Sequence, residues 1–188
     1  MRIIAGTYKG RPLESVSGRS TRPTSDKVKG AIFNMLGPYF SAEKVLDLYA
    51  GTGALGLEAL SRGALHITFI DQDAKAIQTI KKNIQALGVE KSCSVYRNDA
   101  QRALLFLVQQ QVQFDLVFLD PPYQKQRIES DMAILWDHKL LSPFAVIVAE
   151  HDVGTTLQTN VAGLEIWKEN TYGDTVVTIY RVKKEGEE

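Results

Sequence analysis

Four consecutive residues, Asp120, Pro121, Pro122 and Tyr123, form the segment of the chain best suited to chemistry. The prolines fix the backbone and remove two N–H donors, so nearby carbonyl groups can face a cleft as acceptors. A planar ring with an exocyclic amino group fits this set, because it would stack on Tyr123 and donate its hydrogens to Asp120 and to the Pro121 carbonyl. The alternative is a rigid turn, which Asp-Pro-Pro favours in any protein.

A glycine-rich segment upstream could bind a nucleoside cofactor. Gly51, Gly53 and Gly56 match the pattern G-x-G-x-x-G, in which small residues let a ligand approach the backbone at a helix N-terminus. Asp71 lies 20 residues after Gly51, and its carboxylate could accept hydrogen bonds from both ribose hydroxyls of any nucleoside. A P-loop is excluded, since no Gly-Lys-Ser/Thr follows. The alternative is an ordinary strand-to-helix turn with incidental glycines.

The glycine pattern alone leaves two cofactors open, a dinucleotide and S-adenosylmethionine. Asp47 separates them, because an acid ahead of the glycines repels a pyrophosphate and attracts a cationic methionine ammonium group. Asn98 and Asp99 are a further candidate pair, since an acid at that place can accept a hydrogen bond from an adenine amino group. Asp is also a common N-cap residue, so a purely structural role for Asp99 stays open.

Short apolar or β-branched runs precede these candidates and predict the strands of a sheet. The runs, each too short for a helix, cover residues 45–48, 66–70, 93–96, 114–119 and 144–149. Helical spacing is found between them at residues 55–62, 74–87 and 100–110. Alternation of this kind predicts an open, mostly parallel α/β sheet, in which ligands bind beyond the carboxyl ends of the strands.

The two ends of the chain depart from this alternation. Residues 164–171 and 176–181 predict a β-hairpin that closes the sheet. Residues 2–5 and 11–15 predict a small, separate hairpin at the other end, and a helix is expected to begin near Ser25. No internal repeat or long linker interrupts the sequence.

We therefore expect one domain, with residues 1–24 as a basic N-terminal appendage and residues 25–188 as the catalytic α/β core. The net charge is zero, which argues against a histone-like protein. Residues 1–30 nevertheless hold seven basic and two acidic residues, a net charge of +5, so the remainder carries −5. This asymmetry suggests an anionic partner such as a nucleic-acid backbone, with a solvated surface segment as the alternative.

The composition narrows the class of protein. With 44% hydrophobic and 23% charged residues, it is that of an ordinary soluble globular domain. The single cysteine, Cys93, excludes an internal disulfide, and His66, His138 and His151 show no spacing of metal ligands. No apolar stretch is long enough for a membrane span or a signal peptide, so we predict a cytoplasmic protein.

Several segments, in this order and spacing, resemble class I S-adenosylmethionine-dependent methyltransferases: DLYAGTGALGLEALSRGA, FIDQD, RNDA and DPPY. The last resembles the tetrad of enzymes that methylate exocyclic amino groups of nucleobases. The opening MRIIAGTYKGRPL and the following RPTSDKVKGAIFNML resemble the RsmD family of bacterial 16S ribosomal RNA guanine-N2 methyltransferases. The resemblance runs from Met1 to about Glu150.

The resemblance implies a Rossmann-like fold with helices on both faces of a mostly parallel, seven-stranded sheet whose last strand is antiparallel, plus the small N-terminal β-hairpin. It implies S-adenosylmethionine as cofactor, and its binding residues are Asp47, Tyr49, Gly51, Gly53, Asp71, Asn98 and Asp99. The catalytic residues implied are Asp120, Pro121, Pro122 and Tyr123. The residues expected to contact phosphates of 16S rRNA in the small ribosomal subunit are Arg11, Arg22, Lys27 and Lys29.

Other functions remain open at this stage. An NAD-dependent oxidoreductase would use the glycines and Asp71 but would leave the tetrad without a role. An RNA-binding module without activity would not need Asp47, Asp71 and Asp120 together at strand ends. The closer alternative is a DNA adenine-N6 or protein glutamine N-methyltransferase. We expect a monomer, and we expect deletion of residues 1–20 to spare cofactor binding and abolish RNA methylation.

Overall fold

The computed structural model of this chain describes residues 1–16, 25–37, 39–41, 43–122 and 124–183, with the backbone alone for residues 124–126. The helices are α1 (Asp26–Leu36), α2 (Ala54–Ser61), α3 (Ala74–Leu87), α4 (Ala100–Gln109) and α5 (Gln124–Asp137). The strands are β1 (Lys44–Asp47), β2 (His66–Asp71), β3 (Cys93–Arg97), β4 (Phe114–Leu119), β5 (Leu141–Asp152), β6 (Asn160–Val161), β7 (Leu164–Tyr172) and β8 (Thr175–Val182).

One sheet joins these strands in the order β3-β2-β1-β4-β5-β8-β7-β6. Strands β1 to β5 run parallel to their neighbours, and β8 enters antiparallel to β5. Helices α1, α2 and α3 pack on one face of the sheet and α4 and α5 on the other. The carboxyl ends of β1, β2, β4 and β5 therefore meet along one edge, which is where ligands bind in open α/β sheets.

Local sequence signals set most element boundaries. Helix α3 begins after Asp73, whose side chain accepts a hydrogen bond from the Lys75 N–H, and it ends at Gly88 in the left-handed conformation. The predicted helices and strands agree with the structure to within one residue at each end, except for β5 and for the N-terminal hairpin, whose predicted strands at residues 2–5 and 11–15 are not present.

Strand β5 extends three residues beyond the predicted range at both ends. At its start it contains Pro143, which weakens a prediction of strand. At its end, Glu150, His151 and Asp152 pair with β8, and this long-range pairing has no local signature. Two further acidic residues, Glu150 and Asp152, therefore belong to β5 instead of following it.

Helix α5, strand β6 and a one-turn 3₁₀ helix at Glu90–Ser92 were not predicted. Helix α5 buries Ile128, Met132 and Leu135, which lie three and four residues apart, so its periodicity was available in the sequence. Strand β6 is only two residues long and pairs with β7, which gives the sheet eight strands instead of seven. Its short length explains why no periodic pattern marks it.

The N-terminal segment, residues 1–16, packs into the core and does not form a separate appendage, while residues 17–24 lie outside the described residues. Its hairpin is reduced to one antiparallel bridge, between Arg2 and Pro12. Ile3 and Leu13 belong to the same hydrophobic cluster as helices α1 and α2. Deletion of residues 1–20 would therefore open the core, so loss of activity after that deletion would not identify an RNA-binding role.

Glu58 of α2 anchors this segment from inside the protein. Its carboxylate oxygens accept hydrogen bonds from the N–H groups of Ile4 at 2.8 Å and Ala5 at 3.0 Å. The Arg62 side chain donates to the same carboxylate at 2.8 Å, and the Lys29 ammonium lies 3.5 Å from it. Glu58 and Lys29 are fully buried. Water cannot solvate their charges, so the contacts within this cluster have to compensate them.

No helix in the described ranges is both long and apolar enough to cross a membrane.

Substitution of Glu58 tests this anchor. Because Glu58→Ala removes a buried acceptor that Lys29, Arg62 and two backbone N–H groups share, we expect the free energy of unfolding to fall by about 3–5 kcal/mol. The matched control is Glu14→Ala, since Glu14 makes an exposed ion pair with Lys82 at 3.5 Å, which contributes about 0–1 kcal/mol. Urea unfolding measures both, and equal losses would contradict the anchor.

Candidate active site

The candidate site lies at the carboxyl edge of the sheet, where neighbouring parallel strands place three acids side by side. Asp47 ends β1, Asp71 ends β2, and Asp120 follows β4. Strand β1 pairs with both β2 and β4, so these three residues, far apart in sequence, share one cleft. Asp47 and Asp71 are buried, and Asp120 is exposed at the mouth.

The glycine-rich turn is held by the two buried acids. Asp71 accepts a hydrogen bond from the Gly51 N–H at 2.9 Å, and Asp47 accepts one from the Gly56 N–H at 3.1 Å. Gly51 and Gly53 have φ values of 55° and 78°, which favour glycine. A Cβ on Gly56 would lie 2.4 Å from the Phe69 ring, so this third glycine serves helix–sheet packing.

The cleft is strongly acidic. Burial raises the pKa of Asp47 to about 7, with a further contribution from Asp71 and partial relief from the Gly56 N–H. The pKa of Asp120 is raised well above its usual value because surrounding protein atoms desolvate the carboxyl group, even though one side of it is open to solvent. The carboxylates of Glu150, Asp47 and Asp152 raise it further. A cation in the cleft would relieve this repulsion.

Asn98 and Asp99 begin helix α4. The Asn98 side chain accepts the Asp99 N–H at 2.9 Å, and Asp99 accepts the N–H groups of Gln101 at 3.1 Å and Arg102 at 3.4 Å. The structural role that the sequence left open for Asp99 is therefore present. The backbone of Asn98 also donates to the Asp71 carbonyl at 3.1 Å, which keeps this pair beside the second strand end.

Tyr49 points to an acid that the sequence analysis missed. Its hydroxyl donates a hydrogen bond to Asp131 of α5 at 2.5 Å, and burial, followed by this hydrogen bond, raises the pKa of the phenol. Glu150 and Asp152 were likewise absent from the predicted site. Their signal was their place after the β5 run, but the strand was predicted to end before them.

The predicted phosphate contacts divide into three groups. Arg11 and Lys27 are exposed, although one Arg11 nitrogen donates to the Ala86 carbonyl. The prediction for Lys29 is wrong, because its side chain is fully buried beside Glu58 and donates to the Arg2 carbonyl. Arg22 lies outside the described residues, and so does Tyr123 of the tetrad.

Comparison with known proteins extends the resemblance along nearly the whole chain. A family model described as Conserved hypothetical protein 95 matches residues 1–181. YlbH of Bacillus subtilis is 49% identical over 181 residues, covering 96% of this chain and 98% of its own length. The Ribosomal RNA small subunit methyltransferase D of Escherichia coli K12 is 35% identical over 187 residues, covering all of this chain and 92% of its own length. The chain belongs to the RsmD family.

The solved structure of yhhF from Escherichia coli supports the same grouping. It is 32% identical, covers 97% of this chain and 98% of its own, and superposes with a TM-score of 0.84. The predicted family, the class I methyltransferase fold and S-adenosylmethionine as the cofactor of this RsmD protein are thereby confirmed. The individual site residues stay predictions.

The cleft of this RsmD family member fits S-adenosylmethionine in two respects. The methionine ammonium group is a cation, and the end of β1 offers the carboxylate of Asp47. A Cβ built on Gly51 would meet no described heavy atom within 4 Å, so the turn leaves open space for a ligand to approach the backbone. The described residues include no group of His, Cys, Asp and Glu arranged to hold a metal ion.

Asp47→Asn tests whether the buried charge exists for ligand binding. The amide oxygen can still accept the Gly56 N–H, but the charge is gone. Because the raised pKa means that ionised Asp47 destabilises the folded protein, we expect the substitution to raise the free energy of unfolding by about 1–3 kcal/mol at pH 8. The gain in stability should shrink as pH falls from 7 towards the ordinary pKa of Asp, 3.8.

We also expect Asp47→Asn to lower the affinity for S-adenosylmethionine at pH 8 at least about tenfold, which corresponds to about 1.4 kcal/mol.

Calorimetry and thermal unfolding measure these two effects. Asp115→Asn is the matched control, since Asp115 also accepts a backbone N–H, that of Lys44 at 2.8 Å, but at the opposite edge of the sheet. The wild-type affinity should also fall between pH 8 and pH 6, as Asp47 takes up a proton near pH 7. A variant that loses stability and binds the cofactor normally would contradict this role.

Proposed function

We propose that this protein transfers a methyl group from S-adenosylmethionine to the exocyclic N2 amine of a guanine in 16S rRNA of the small ribosomal subunit. The observation that carries the proposal is the position of Asp120, directly after β4 and at the same sheet edge as Asp47 and the glycine turn. The names of its relatives, Ribosomal RNA small subunit methyltransferase D, support the substrate class. We further propose that it acts in the cytoplasm, where ribosomal subunits are assembled.

The cofactor supplies an electrophilic methyl group on a sulfonium centre. Asp47, with the backbone of Gly51 and Gly53, would hold the methionine part. Asp71 would accept the ribose hydroxyls, and the segment Asn98–Asp99 would border the adenine. This arrangement follows the order of the strands: β1, β2 and β3 are adjacent in the sheet, and the turns after them line one continuous edge. The methyl group would then point towards the turn after β4.

The tetrad would prepare the amine for attack. The N2 lone pair of guanine is delocalised into the ring, so the amine is a poor nucleophile. Asp120 and the Pro121 carbonyl would accept its two hydrogens and turn the lone pair towards the methyl carbon. The new N–C bond forms as the C–S bond breaks, and the bonding electrons leave with sulfur as a neutral thioether. Alignment of this kind contributes up to about 7–11 kcal/mol in well-oriented systems.

Asp120 would also accept the proton that the methylated amine releases. Its raised pKa favours proton uptake, and its exposed position gives the proton a route to solvent. A hydrogen-bonding role alone is the alternative for this side chain. The target base would leave its stack to reach the tetrad, and Tyr123 would replace part of that stacking.

Basic residues of the N-terminal part would position the RNA. Arg11 and Lys27 are exposed and can neutralise phosphates, and we propose the same role for Arg22. Such contacts fix register and orientation but carry no sequence information. Lys29 is excluded from this surface because the fold uses its charge internally.

Substitution of Asp120 tests the chemistry. Asp120→Asn keeps an acceptor oxygen but cannot take up a proton, and Asp120→Ala removes both functions. We expect label from tritiated S-adenosylmethionine to enter N2-methylguanosine of small subunits from cells lacking the enzyme. Asp120→Ala should reduce that rate by about 10²–10⁴-fold with cofactor affinity largely retained. Asp120→Asn separates the role of hydrogen-bond acceptor from that of proton acceptor. A near-normal rate in this variant would mean that Asp120 acts only as a hydrogen-bond acceptor.

The control for this series is Asp174→Asn, in the exposed turn between β7 and β8. Label in DNA adenine or in protein glutamine, with none in N2-methylguanosine, would overturn the substrate and support the alternative methyltransferase classes. The absence of label from every acceptor, with cofactor binding intact, would overturn guanine-N2 methylation of small subunits.

The RNA surface is tested by the double substitution Arg11→Ala and Lys27→Ala. Because each lost phosphate contact removes counterion release, we expect the KM for small subunits to rise and the slope of log affinity against log salt to fall by about 1 per contact. Cofactor affinity and kcat should stay unchanged. Lys91→Ala, which removes an exposed charge elsewhere, is the control, and an equal effect there would contradict the surface.

A further inference from the structure

Helix α5 begins directly after the tetrad and contacts two of the segments that line the cofactor cleft. Its Asp131 accepts a hydrogen bond from the Tyr49 hydroxyl at 2.5 Å, and Tyr49 lies in the turn that also contains Gly51. One turn earlier in the helix, the Arg127 guanidinium lies 3.7 Å from the Asp99 carboxylate at the start of α4. The helix is thus tied to the turns after β1 and β3 by two separate polar contacts.

Asp131 is unusual among the residues of this helix. Its side chain is fully buried within the cluster formed by α4, α5 and the sheet. One carboxylate oxygen accepts the Tyr49 hydroxyl, and the other has no hydrogen-bond partner among the described residues. Burial raises its pKa to about 6, against the lowering effects of the Tyr49 hydrogen bond and of Arg127.

Burial of a half-satisfied carboxyl group is costly, and a buried polar group of this kind in a folded protein requires a physical explanation. An apolar residue at position 131 would pack beside Ile128, Met132 and Leu135 without that cost. The charge at Asp131 therefore points to a role other than stability. Its one described hydrogen-bond partner, Tyr49, identifies the segment on which that role acts.

We propose that Asp131 is a positioning residue that, through Tyr49, couples the glycine turn to helix α5 and so to the tetrad at the start of that helix. The inference rests on the proposed function, since it needs the turn to hold the cofactor and the tetrad to hold the base. Occupation of the turn fixes Tyr49, and Tyr49 fixes Asp131. Because an α-helix moves as a rigid element, the start of α5 would follow Asp131, and the placement of Asp120 and Pro121 before the helix would depend on it.

This coupling has a thermodynamic consequence. If the cofactor site and the base site share one element, each ligand tightens the binding of the other by the same factor. A residue with a merely structural role would change stability, or the affinity of one ligand, but not that factor. The ratio of two dissociation constants for one ligand is therefore the decisive readout.

The experiment measures the dissociation constant of S-adenosylhomocysteine with and without saturating small subunits, for the full-length protein. In the wild type we expect the subunits to tighten binding about fivefold or more. In Tyr49→Phe and Asp131→Asn we expect the ratio to fall below about twofold, with kcat reduced about tenfold through loss of alignment. The amide that Asp131→Asn introduces keeps the shape of the side chain and an acceptor oxygen, which protects the fold.

The double variant separates a coupled pair from two independent defects. Because Tyr49 and Asp131 act as one unit, we expect Tyr49→Phe with Asp131→Asn to be no worse in kcat than the poorer single variant. Tyr39→Phe and Asp137→Asn are the matched controls: Tyr39 is 68% exposed, and Asp137 is exposed at the end of α5. Both should keep the wild-type ratio and kcat.

The outcomes are distinct. A wild type that does not methylate guanine N2 in small subunits overturns the proposed function and this inference with it. A wild type that methylates, with variants that keep its ratio, overturns the coupling alone. Variants with a lower melting temperature and an unchanged ratio also overturn it, since that result assigns the pair to stability.

Discussion

The carboxylate of Asp47 is buried at the end of a parallel strand, beside other acids, and it attaches the start of helix α2 to the sheet by accepting the Gly56 N–H. Burial raises its pKa to about 7, and the same local charge acts on Asp120 across the neighbouring strand. The hydrogen bond from the Gly56 N–H to Asp47 offsets part of this cost. The rest is left uncompensated, and a cationic ligand is the group that would compensate it. This uncompensated charge supports the proposal that Asp47 takes part in binding the cofactor.

A second buried carboxylate shows the opposite solution. Glu58 lies inside the same domain, but it is surrounded by donors from Lys29, Arg62 and two backbone N–H groups of the N-terminal segment. Its charge is satisfied within the chain, so it holds structure together and has no capacity left for a ligand. Because both acids are buried, burial does not distinguish them. The number of donors around each carboxylate does, and it separates Asp47, the proposed ligand-binding acid, from Glu58, the structural one.

Helix α5 contributes a third acid, which is buried and only partly hydrogen-bonded. Through Arg127 it makes an exposed contact with the cap of α4, and through Asp131 it makes a buried, half-satisfied contact with Tyr49. The helix starts where the tetrad ends, so in the proposed coupling a displacement of the glycine turn would reach, over a short path, the residues that would hold the base. The sheet provides the fixed frame for this path, since β1 and β4 are adjacent.

The sequence by itself determined most of the elements and their order, because those depend on local periodicity, caps and turn residues. The range of α3 follows from Asp73 and Gly88, and the parallel sheet follows from the alternation of strands and helices. It also determined that Asp47, Asp71 and Asp120 meet, since the carboxyl ends of parallel strands share an edge. What only the tertiary structure decided depends on pairing between distant segments. The pairing of β5 with β8 extends β5 through Glu150 and Asp152. The packing of α1 against α2 turns Lys29 inward to Glu58. The position of α5 beside the glycine turn brings Asp131 to Tyr49. No window of neighbouring residues contains those contacts, so no local pattern could have revealed them.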